Sequence, residues 1–243
     1  MDVLIDFIIL AAGKGRRIEN FQNKHKTLLE VRGITLLENH LLNGNRYIGN
    51  FLNKLIVVVG HRKEEIKEEV EKIIPKLKRK VYFVEGDLRG TKYGRSLHKA
   101  LYESEAEYVL YVMGDHWICY EKLKKSYPFE EILKTYHKYS LTIFADPFPL
   151  IANINSQSLL LIENGKNIPQ YTHVDMGLFL ANRKELLYCI EKNKLFEKDF
   201  DTGDLIKNLS KVSILEVKNV PWFGCNTPED YLKGIKKLSE KRS

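Results

Sequence analysis

The sequence predicts an α/β fold in which a mostly parallel sheet is covered by helices on both faces. Short apolar segments typical of buried strands alternate with amphipathic segments along the first 145 residues. Such alternation favours parallel strands, because each helix carries the chain back to the same end of the sheet. The predicted strands are FIILAA (7–12), LIVVVG (55–60), VYFVEG (81–86), YVLYVMG (108–114) and LTIFA (141–145).

The helix between the second and third predicted strands is defined by its apolar spacing. Ile66, Val70, Ile73 and Ile74 follow the i, i+4, i+7, i+8 spacing of a buried helical stripe. We expect this helix to end near Pro75, because proline has no backbone N–H and its ring disfavours a helix interior.

After residue 145 the alternation of strands and helices becomes less regular. We expect this part of the chain to add antiparallel strands to the sheet. LLLIENGKNIPQ (159–170) predicts a hairpin that turns at Asn164 and Gly165. VDMGLFLA (174–181) predicts a strand and RKELLYCIEK (183–192) predicts a helix. The sheet is therefore expected to be mixed.

The C-terminal part contains three further predicted segments. VSILEV (212–217) predicts a strand and PWFGCN (221–226) a loop, and Thr227 with Pro228 marks the start of a last helix. No repeat, linker or low-complexity segment interrupts the pattern. We therefore expect one continuous domain over residues 1–243.

The composition of the chain indicates which binding partners and which cellular compartment to expect. The formal net charge is +7, but Lys and Arg alternate with Glu in HRKEEIKEEVEKIIPKLKRK (61–80), as on a solvated helix face, so a nucleic-acid partner is not expected. The chain has neither an apolar run of about 18 residues nor a signal-peptide pattern, which predicts a cytoplasmic protein without a membrane span. Cys119, Cys189 and Cys225 have no CxxC spacing and are expected to be buried thiols.

A glycine-rich turn follows the first predicted strand directly. Gly13 and Gly15 leave the backbone bare, and two arginines and Lys26 add positive charge within the same connection. Backbone N–H groups in such a turn bind phosphate. The pattern GxxxxGK[ST] is absent, and GxGxxG has Ile18 where its third glycine would stand. The turn indicates a phosphate site, and the alternative is a tight turn with solvated cations.

An acid stands at the end of another buried strand. Asp115 follows YVLYVMG, at the sheet edge where ligands collect in open α/β folds. Mg²⁺ takes one or two carboxylates from protein and completes its shell with water and substrate phosphates. One aspartate is therefore enough for a metal site if a nucleotide supplies further oxygens.

Seven short segments together resemble a known family. LAAGKGRRI, KTLLEVRG, KYGRSL, VMGDHW, FAD, VDMGLFL and VPWFGCNTPEDYL occur in the order found in the sugar nucleotidyltransferases, whose fold is GT-A-like and Rossmann-like. The GDH form of the metal motif is most similar to the inositol-1-phosphate cytidylyltransferase branch. The resemblance covers nearly the whole chain.

The resemblance implies a reaction and a set of site residues. An acceptor phosphate oxygen would attack the α-phosphorus of an NTP, with CTP favoured, to give a nucleoside diphosphate conjugate of a phosphorylated polyol or sugar and pyrophosphate. The implied residues are Arg17, Lys26 and Asp115 for catalysis, Leu10, Ala11, Ala12, Gly13, Gly15, Gly94 and Ser96 for the nucleotide, Asp146, Asp175 and Gly177 for the acceptor, and Asp115 and Asn226 for Mg²⁺. The protein is expected to be a monomer or homodimer.

Two positions depart from the family pattern. The family has a second metal-binding aspartate near the C-terminus, where this chain has Asn226, so the metal is expected to bind more weakly without nucleotide. The family also has a lysine for the acceptor phosphate before the VDMG strand, and Lys166 or His173 is the available substitute.

Two other functions fit the sequence as alternatives. The departures fit a catalytically weakened relative that only binds nucleotide sugars. A GT-A glycosyltransferase is the third class, although GDHW supplies only one acid of the Asp-x-Asp motif that such enzymes use.

Overall fold

The computed structural model describes residues 3–18, 21–77, 79–147, 158–163 and 166–240, and for 158–163 and 166–172 it describes the backbone alone. The strands are β1 (Ile5–Leu10), β2 (Glu30–Val31), β3 (Ile34–Thr35), β4 (Leu52–Val59), β5 (Val81–Glu85), β6 (Tyr108–Met113), β7 (His116–Ile118), β8 (Leu141–Asp146), β9 (Ser158–Glu163), β10 (Lys166–Asn182), β11 (Val212–Glu216) and β12 (Trp222–Gly224).

The helices lie between these strands in the alternation that the sequence predicts. They are α1 (Leu36–Glu38), α2 (Asn45–Ile48), α3 (Lys63–Leu77), α4 (Gly94–Glu103), α5 (Tyr120–Ser126), α6 (Phe129–Tyr136), α7 (Arg183–Lys192), α8 (Thr202–Asn208) and α9 (Pro228–Glu240). A π-helical segment (Asn39–Gly44) joins α1 to α2, and a short 3₁₀ turn (Lys26–Leu28) precedes β2.

A mixed sheet forms the centre of the described structure. Its strand order is β11-β8-β10-β6-β1-β4-β5, and β9 pairs with β10. The pairs β1–β4, β1–β6, β4–β5 and β8–β11 are parallel, whereas β10 runs antiparallel to β6, β8 and β9. The mostly parallel sheet and its antiparallel additions are therefore confirmed.

Successive residues of β1 face opposite layers of helices, as alternation along a strand requires. Phe7 and Ile9 belong to the same buried cluster as apolar residues of α3, α5 and α6. Ile8 and Leu10 belong to a second cluster with residues of α4, α7 and α8. Helices thus cover both faces, and β1 is buried along its whole length.

Helix α3 ends at Leu77, which agrees with the predicted end near Pro75. The prediction that Ile74 belongs to the buried stripe is wrong, because Ile74 is 37% exposed. Leu77, four residues after Ile73, is buried in the stripe with Ile66, Val70 and Ile73.

The predicted loop over residues 221–226 contains a short strand. Trp222, Phe223 and Gly224 pair antiparallel with β7, and Trp222 is buried at the edge of the main core. The helix over residues 183–192 is confirmed. The hairpin predicted near residue 164 is confirmed by antiparallel pairing of β9 with β10, and its turn residues, Asn164 and Gly165, lie outside the described residues.

Cys189 and Cys225 are buried free thiols, as expected, and Cys119 is partly exposed. No helix in the described ranges combines the length and the apolar character needed to cross a bilayer.

Candidate active site

A cleft of about 850 Å³ opens at the carboxyl ends of β1, β5 and β6. This is the edge where ligands bind in open α/β sheets. Leu10 and Ala12 line it at the end of β1, Met113 and Asp115 at the end of β6, and Asp87 beyond the end of β5. The two acids therefore share a cavity with the glycine-rich turn.

The turn after β1, residues 11–17, is held by backbone hydrogen bonds to its neighbours. The N–H of Ala11 donates to the Val58 carbonyl at 2.9 Å, and the N–H of His61 donates to the Ala12 carbonyl at 3.1 Å. Gly15 has φ +60°, a conformation that side chains with a Cβ rarely adopt. Residues 11–17, which we call the glycine loop, contribute Ala12 through Arg17 to the wall of the cleft.

Lys26 lies across the glycine loop. A Cβ atom added to Gly15 would lie 3.1 Å from the Lys26 Cδ, and one added to Gly13 would lie 3.8 Å from the Lys26 Nζ. The lysine stem therefore fills the space that the two glycines leave. The two glycines and the lysine are therefore packed against one another, although they are separated along the chain.

Lys26 Nζ forms an ion pair and a short hydrogen bond with Asp115 Oδ2. Both side chains are largely buried. Burial is the largest single effect on the pKa of Asp115 and raises it, but the charge and hydrogen bond of Lys26, together with His116 and a backbone hydrogen bond, outweigh burial and hold the pKa of that carboxyl well below its usual range. The Asp115 side chain is therefore anionic throughout the physiological pH range.

The β7–β12 pair brings the C-terminal segment to Asp115. The N–H of Cys225 donates to the Asp115 carbonyl at 2.8 Å, so the next residue, Asn226, lies beside the aspartate. Arg17 Nη2 donates to Asn226 Oδ1 at 3.2 Å. The two predicted cations are thus each in contact with one of the two predicted metal ligands.

Those ligands suit Mg²⁺ bound together with nucleotide. One carboxylate and one amide oxygen, in a cleft that also has room for phosphate oxygens, match the oxygen-rich and partly non-protein shell of this ion. Among the described residues there is no cluster of three or more His, Cys, Asp or Glu side chains that could hold a metal by itself. A metal ion held by Asp115 and Asn226 would complete its shell with water or with oxygens of a bound substrate.

The opposite wall of the cleft comes from the loop before α4 and from α8. It includes Lys92, Tyr93, Asp201, Thr202 and Lys207. The Tyr93 hydroxyl and Thr202 Oγ1 form a short hydrogen bond, and Lys92 pairs with Asp201 at 3.0 Å. Sequence reasoning missed this wall. The Asp-Thr-Gly-Asp segment that forms the capping box of α8 was the available signal, since it marks a helix start.

Asp175 also lines the cleft. Its Oδ1 accepts a hydrogen bond from the Gly177 N–H at 2.8 Å. Burial raises the pKa of Asp175 to about 6, the bond from Gly177 opposes this, and the negative charge of Asp201 adds to the rise. The side chain can therefore accept hydrogen bonds when ionised and donate one when protonated.

The cleft brings together most of the residues that the sequence singled out. The predicted residues that line it are Leu10, Ala12, Gly13, Gly15, Arg17, Lys26, Ser96, Asp115, Asp175 and Asn226. Arg16, which the sequence did not assign to the site, also lines it.

Other predicted residues contact their neighbours outside the lining of the cleft. Ala11, the first residue of the glycine loop, is buried. A Cβ on Gly94 would lie 2.4 Å from the Phe200 ring, so this glycine allows α4 to pack closely. Asp146 is buried and accepts a hydrogen bond from Trp222 Nε1 at 2.9 Å. Gly177 lies against the His116 ring.

His173 and Lys166 were suggested as substitutes for the lysine that binds the acceptor phosphate, and the structure describes the side chain of His173 alone. His173 Nε2 lies 2.7 Å from Glu216 Oε2 and does not line the cleft. The side chain of Lys166 lies outside the described residues. Lys207, on the opposite wall, is a cation inside the cleft that sequence reasoning did not consider.

The first half of the chain is similar to a known domain family. Residues 7–123, which include the glycine loop, Lys26 and Asp115, match the sequence profile of the MobA-like NTP transferase domain. The resemblance to nucleotidyltransferases that the sequence motifs indicated is thereby confirmed.

One curated relative of this chain is the bifunctional IPC transferase and DIPP synthase of Rubrobacter xylanophilus. It is 27% identical over 231 residues, which are 91% of this chain. The chain spans about half (49%) of the length of that relative.

Solved structures show the same fold over nearly the whole chain. The inositol-1-phosphate CTP transferase from T. maritima has a TM-score of 0.73 at 19% identity, covering 98% of this chain and 97% of that one. The 4-diphosphocytidyl-2C-methyl-D-erythritol synthase from Anaerococcus prevotii has a TM-score of 0.68 at 20% identity, covering 98% and 100%. The nucleotidyltransferase-like fold predicted from the sequence is confirmed.

Proposed function

We propose that this protein is a nucleotidyltransferase that joins an NTP, with CTP favoured, to a phosphorylated polyol or sugar. The observation that carries the proposal is the convergence of the glycine loop, Lys26, Arg17 and Asp115 in one cleft at the carboxyl edge of the sheet. The names of the similar proteins, an IPC transferase and an inositol-1-phosphate CTP transferase, support the choice of CTP and of a polyol phosphate. We further propose that residues 1–243 act as a single domain.

In the proposed reaction a phosphate oxygen of the acceptor attacks the α-phosphorus of the NTP. The bond from the α-phosphorus to the bridging oxygen of the β-phosphate breaks, and pyrophosphate leaves. A phosphate monoester is already a nucleophile at neutral pH, so no covalent enzyme intermediate is required. The residues of the chain therefore act by aligning the two anionic substrates and by neutralising their charge.

Each group of residues has one role in this proposal. The glycine loop offers backbone N–H groups and space for the triphosphate. Arg17 and Lys26 neutralise the charge that accumulates on the leaving pyrophosphate. Asp175 binds acceptor hydroxyls. Asp115 and Asn226 would hold Mg²⁺, which supplies additional positive charge at the phosphates.

A pyrophosphate-release screen tests the proposal. Each of the four NTPs is combined with inositol 1-phosphate, several sugar 1-phosphates and other polyol phosphates in the presence of Mg²⁺, and the product is identified by mass spectrometry. Reactions without acceptor control for simple hydrolysis. We expect pyrophosphate and a CDP conjugate to appear in equal amounts for CTP with one acceptor.

The alternatives give other outcomes in the same screen. A protein that only binds nucleotide sugars would release no pyrophosphate with any pair, although it binds nucleotide. A glycosyltransferase would consume a nucleotide sugar instead of producing one. Either result would contradict the proposed reaction.

A further inference from the structure

His25 occupies a buried position between the glycine loop and Lys26. Its side chain is 3% exposed. Its Nε2 lies 3.0 Å from the carbonyl oxygen of Gly13, and its Nδ1 lies 2.8 Å from Thr27 Oγ1. His25 is also the N-cap of the 3₁₀ turn that begins with Lys26, since Nδ1 accepts the Thr27 N–H at 3.3 Å. One imidazole therefore connects the loop to the turn that carries the lysine.

These contacts define the protonation state of the ring. A carbonyl oxygen can only accept, so Nε2 carries the hydrogen that is donated to Gly13. The Thr27 N–H can only donate, so Nδ1 is the unprotonated nitrogen. Burial lowers the pKa of His25 to about 4, which is consistent with a neutral ring.

The bond to Gly13 also orients the next peptide N–H. The peptide between Gly13 and Lys14 is trans, so the Lys14 N–H points opposite to the Gly13 carbonyl. With the carbonyl directed at His25, the N–H is directed away from the histidine. Within the described ranges this N–H has no hydrogen-bond acceptor, and both residues line the cleft.

We propose that His25 is a positioning residue that holds the Gly13–Lys14 peptide with its N–H available to the triphosphate and holds Lys26 in register with it. A rotated peptide would instead direct the Gly13 carbonyl toward the phosphates, where two sets of partially negative oxygens would repel each other. The inference rests on the proposed function, because the anion is taken to be the triphosphate of an NTP.

Two variants separate the two bonds of the ring. The amide oxygen of Asn in His25→Asn replaces Nδ1 and keeps the cap of the Lys26 turn, but the side chain is too short to reach Gly13. The amide nitrogen of Gln in His25→Gln replaces Nε2 and can still donate to Gly13. Tyr47→Phe is the structural control, because it removes another part-buried hydrogen bond, from the Tyr47 hydroxyl to the Tyr127 carbonyl at 3.2 Å, outside the lining of the cleft.

The measurements are the Kd for Mg·CTP by calorimetry, steady-state turnover, and thermal unfolding of each variant. We expect His25→Asn to weaken nucleotide binding by about tenfold or more, which is the effect of losing one hydrogen bond to a charged group. His25→Gln should stay within about threefold of wild type, and Tyr47→Phe should lower the unfolding temperature without changing Kd. Equal losses in His25→Asn and His25→Gln, or an unchanged Kd in His25→Asn, would overturn the inference.

Two further results keep the inference testable if the variants do not fold. In wild-type protein labelled with ¹⁵N, the His25 ring should give the signature of the tautomer protonated at Nε2, and the Lys14 amide resonance should shift when CTP is added. A Lys14 amide that stays unchanged while other loop amides shift would overturn the inference alone. Wild-type protein that binds none of the four NTPs would overturn the proposed function, and the inference with it.

Discussion

Lys26 and Asp115 form the most buried ion pair that lines the cleft, with side chains 20% and 11% exposed. A charge in such a site remains favourable only while its partner is present, because burial removes most of its solvation. The same aspartate is the proposed metal ligand. Removing its charge therefore affects both the metal and the lysine.

Asp115→Asn should abolish turnover and leave the protein folded. The amide loses the anionic oxygen that the metal prefers, and Lys26 loses its partner. Pyrophosphate release at saturating Mg²⁺ and circular dichroism would check this. Glu216→Gln is the control, since Glu216 is an acid that pairs with Lys218 and does not line the cleft. Near-normal turnover in Asp115→Asn would contradict the metal assignment.

Arg17 and Arg16 should differ although both line the cleft. Arg17 is directed toward Asn226, beside Asp115, whereas Arg16 has no ion pair among the described residues. Arg17→Ala should lower turnover by about 10²-fold, the size of effect seen when one charge-stabilising donor is removed. Arg16→Ala should change stability by less than about 0.5 kcal/mol and leave turnover near wild type. Steady-state kinetics of both variants test this prediction. A larger loss of turnover in Arg16→Ala than in Arg17→Ala would show that the register of the motif is wrong.

At the scale of elements, the short strand β7 is held against β10 and β12 by two glycines. The His116 ring on β7 lies where a Cβ of Gly177 or of Gly224 would be, at 1.8 Å and 2.5 Å respectively. Because β7 follows Asp115 and β12 precedes Asn226, this packing aligns the two proposed metal ligands.

Gly177→Ala should destabilise the protein strongly through two effects that a matched variant separates. Gly177 has φ +69°, so alanine is strained there, and its Cβ also overlaps the His116 ring. Gly33 has φ +81° and open space around its Cβ position, so Gly33→Ala measures the strain of a positive φ without a steric overlap. We expect about 1 kcal/mol for Gly33→Ala and roughly 2 to 4 kcal/mol for Gly177→Ala by urea unfolding. Equal losses would mean that the His116 contact does not constrain β7.

At the scale of the whole molecule, metal and nucleotide should bind together. Without nucleotide, the Lys26 ammonium neutralises Asp115, and Arg17 occupies Asn226. We expect Mg²⁺ alone to leave the unfolding temperature unchanged, and Mg²⁺ with CTP to raise it more than CTP alone. In Lys26→Met, Mn²⁺ binding to the nucleotide-free protein, measured by electron paramagnetic resonance, should become tighter. Strong Mn²⁺ binding by wild-type protein alone would contradict this coupling.

Whole-molecule stability should also fall as the pH decreases from 7 to 5. Burial lowers the pKa of His25 to about 4 and of His40 to about 3, against about 6.5 in the unfolded chain. Below pH 6.5 the unfolded state therefore binds more protons, which costs up to about 1.4 kcal/mol per pH unit for each histidine. Asp175, with its pKa raised to about 6, opposes the fall but is one group against two. Urea unfolding at the two pH values tests this, and a flat profile would contradict it; His25→Gln should show a smaller fall.

The sequence by itself determined most of the elements and the position of the glycine-rich turn that we propose to bind phosphate. Apolar strands, the α3 stripe and the capped helix starts are local patterns, so each could be interpreted without knowledge of its neighbours. Gly13, Gly15, Lys26 and Asp115 were found for the same reason, since strand ends of a parallel sheet meet at one edge. Strand β12 and the place of Leu77 in the α3 stripe were not found, because burial of Leu77 and Trp222 depends on contacts distant in sequence.

Tertiary structure alone decided which residues complete the cleft and which only support it. Asn226 reaches Asp115 through the β7–β12 pair, more than a hundred residues along the chain, and Asp201 and Lys207 come from a helix with no recognisable binding motif. Gly177 and Asp146 belong to motifs of the resemblance, yet the structure places them against His116 and Trp222. No sequence motif marks His25, and the role that we propose for it depends on its contacts with Gly13 and Thr27. Periodicity describes the neighbours of a residue along the chain, whereas charge pairing, close approach and desolvation depend on which segments meet in space.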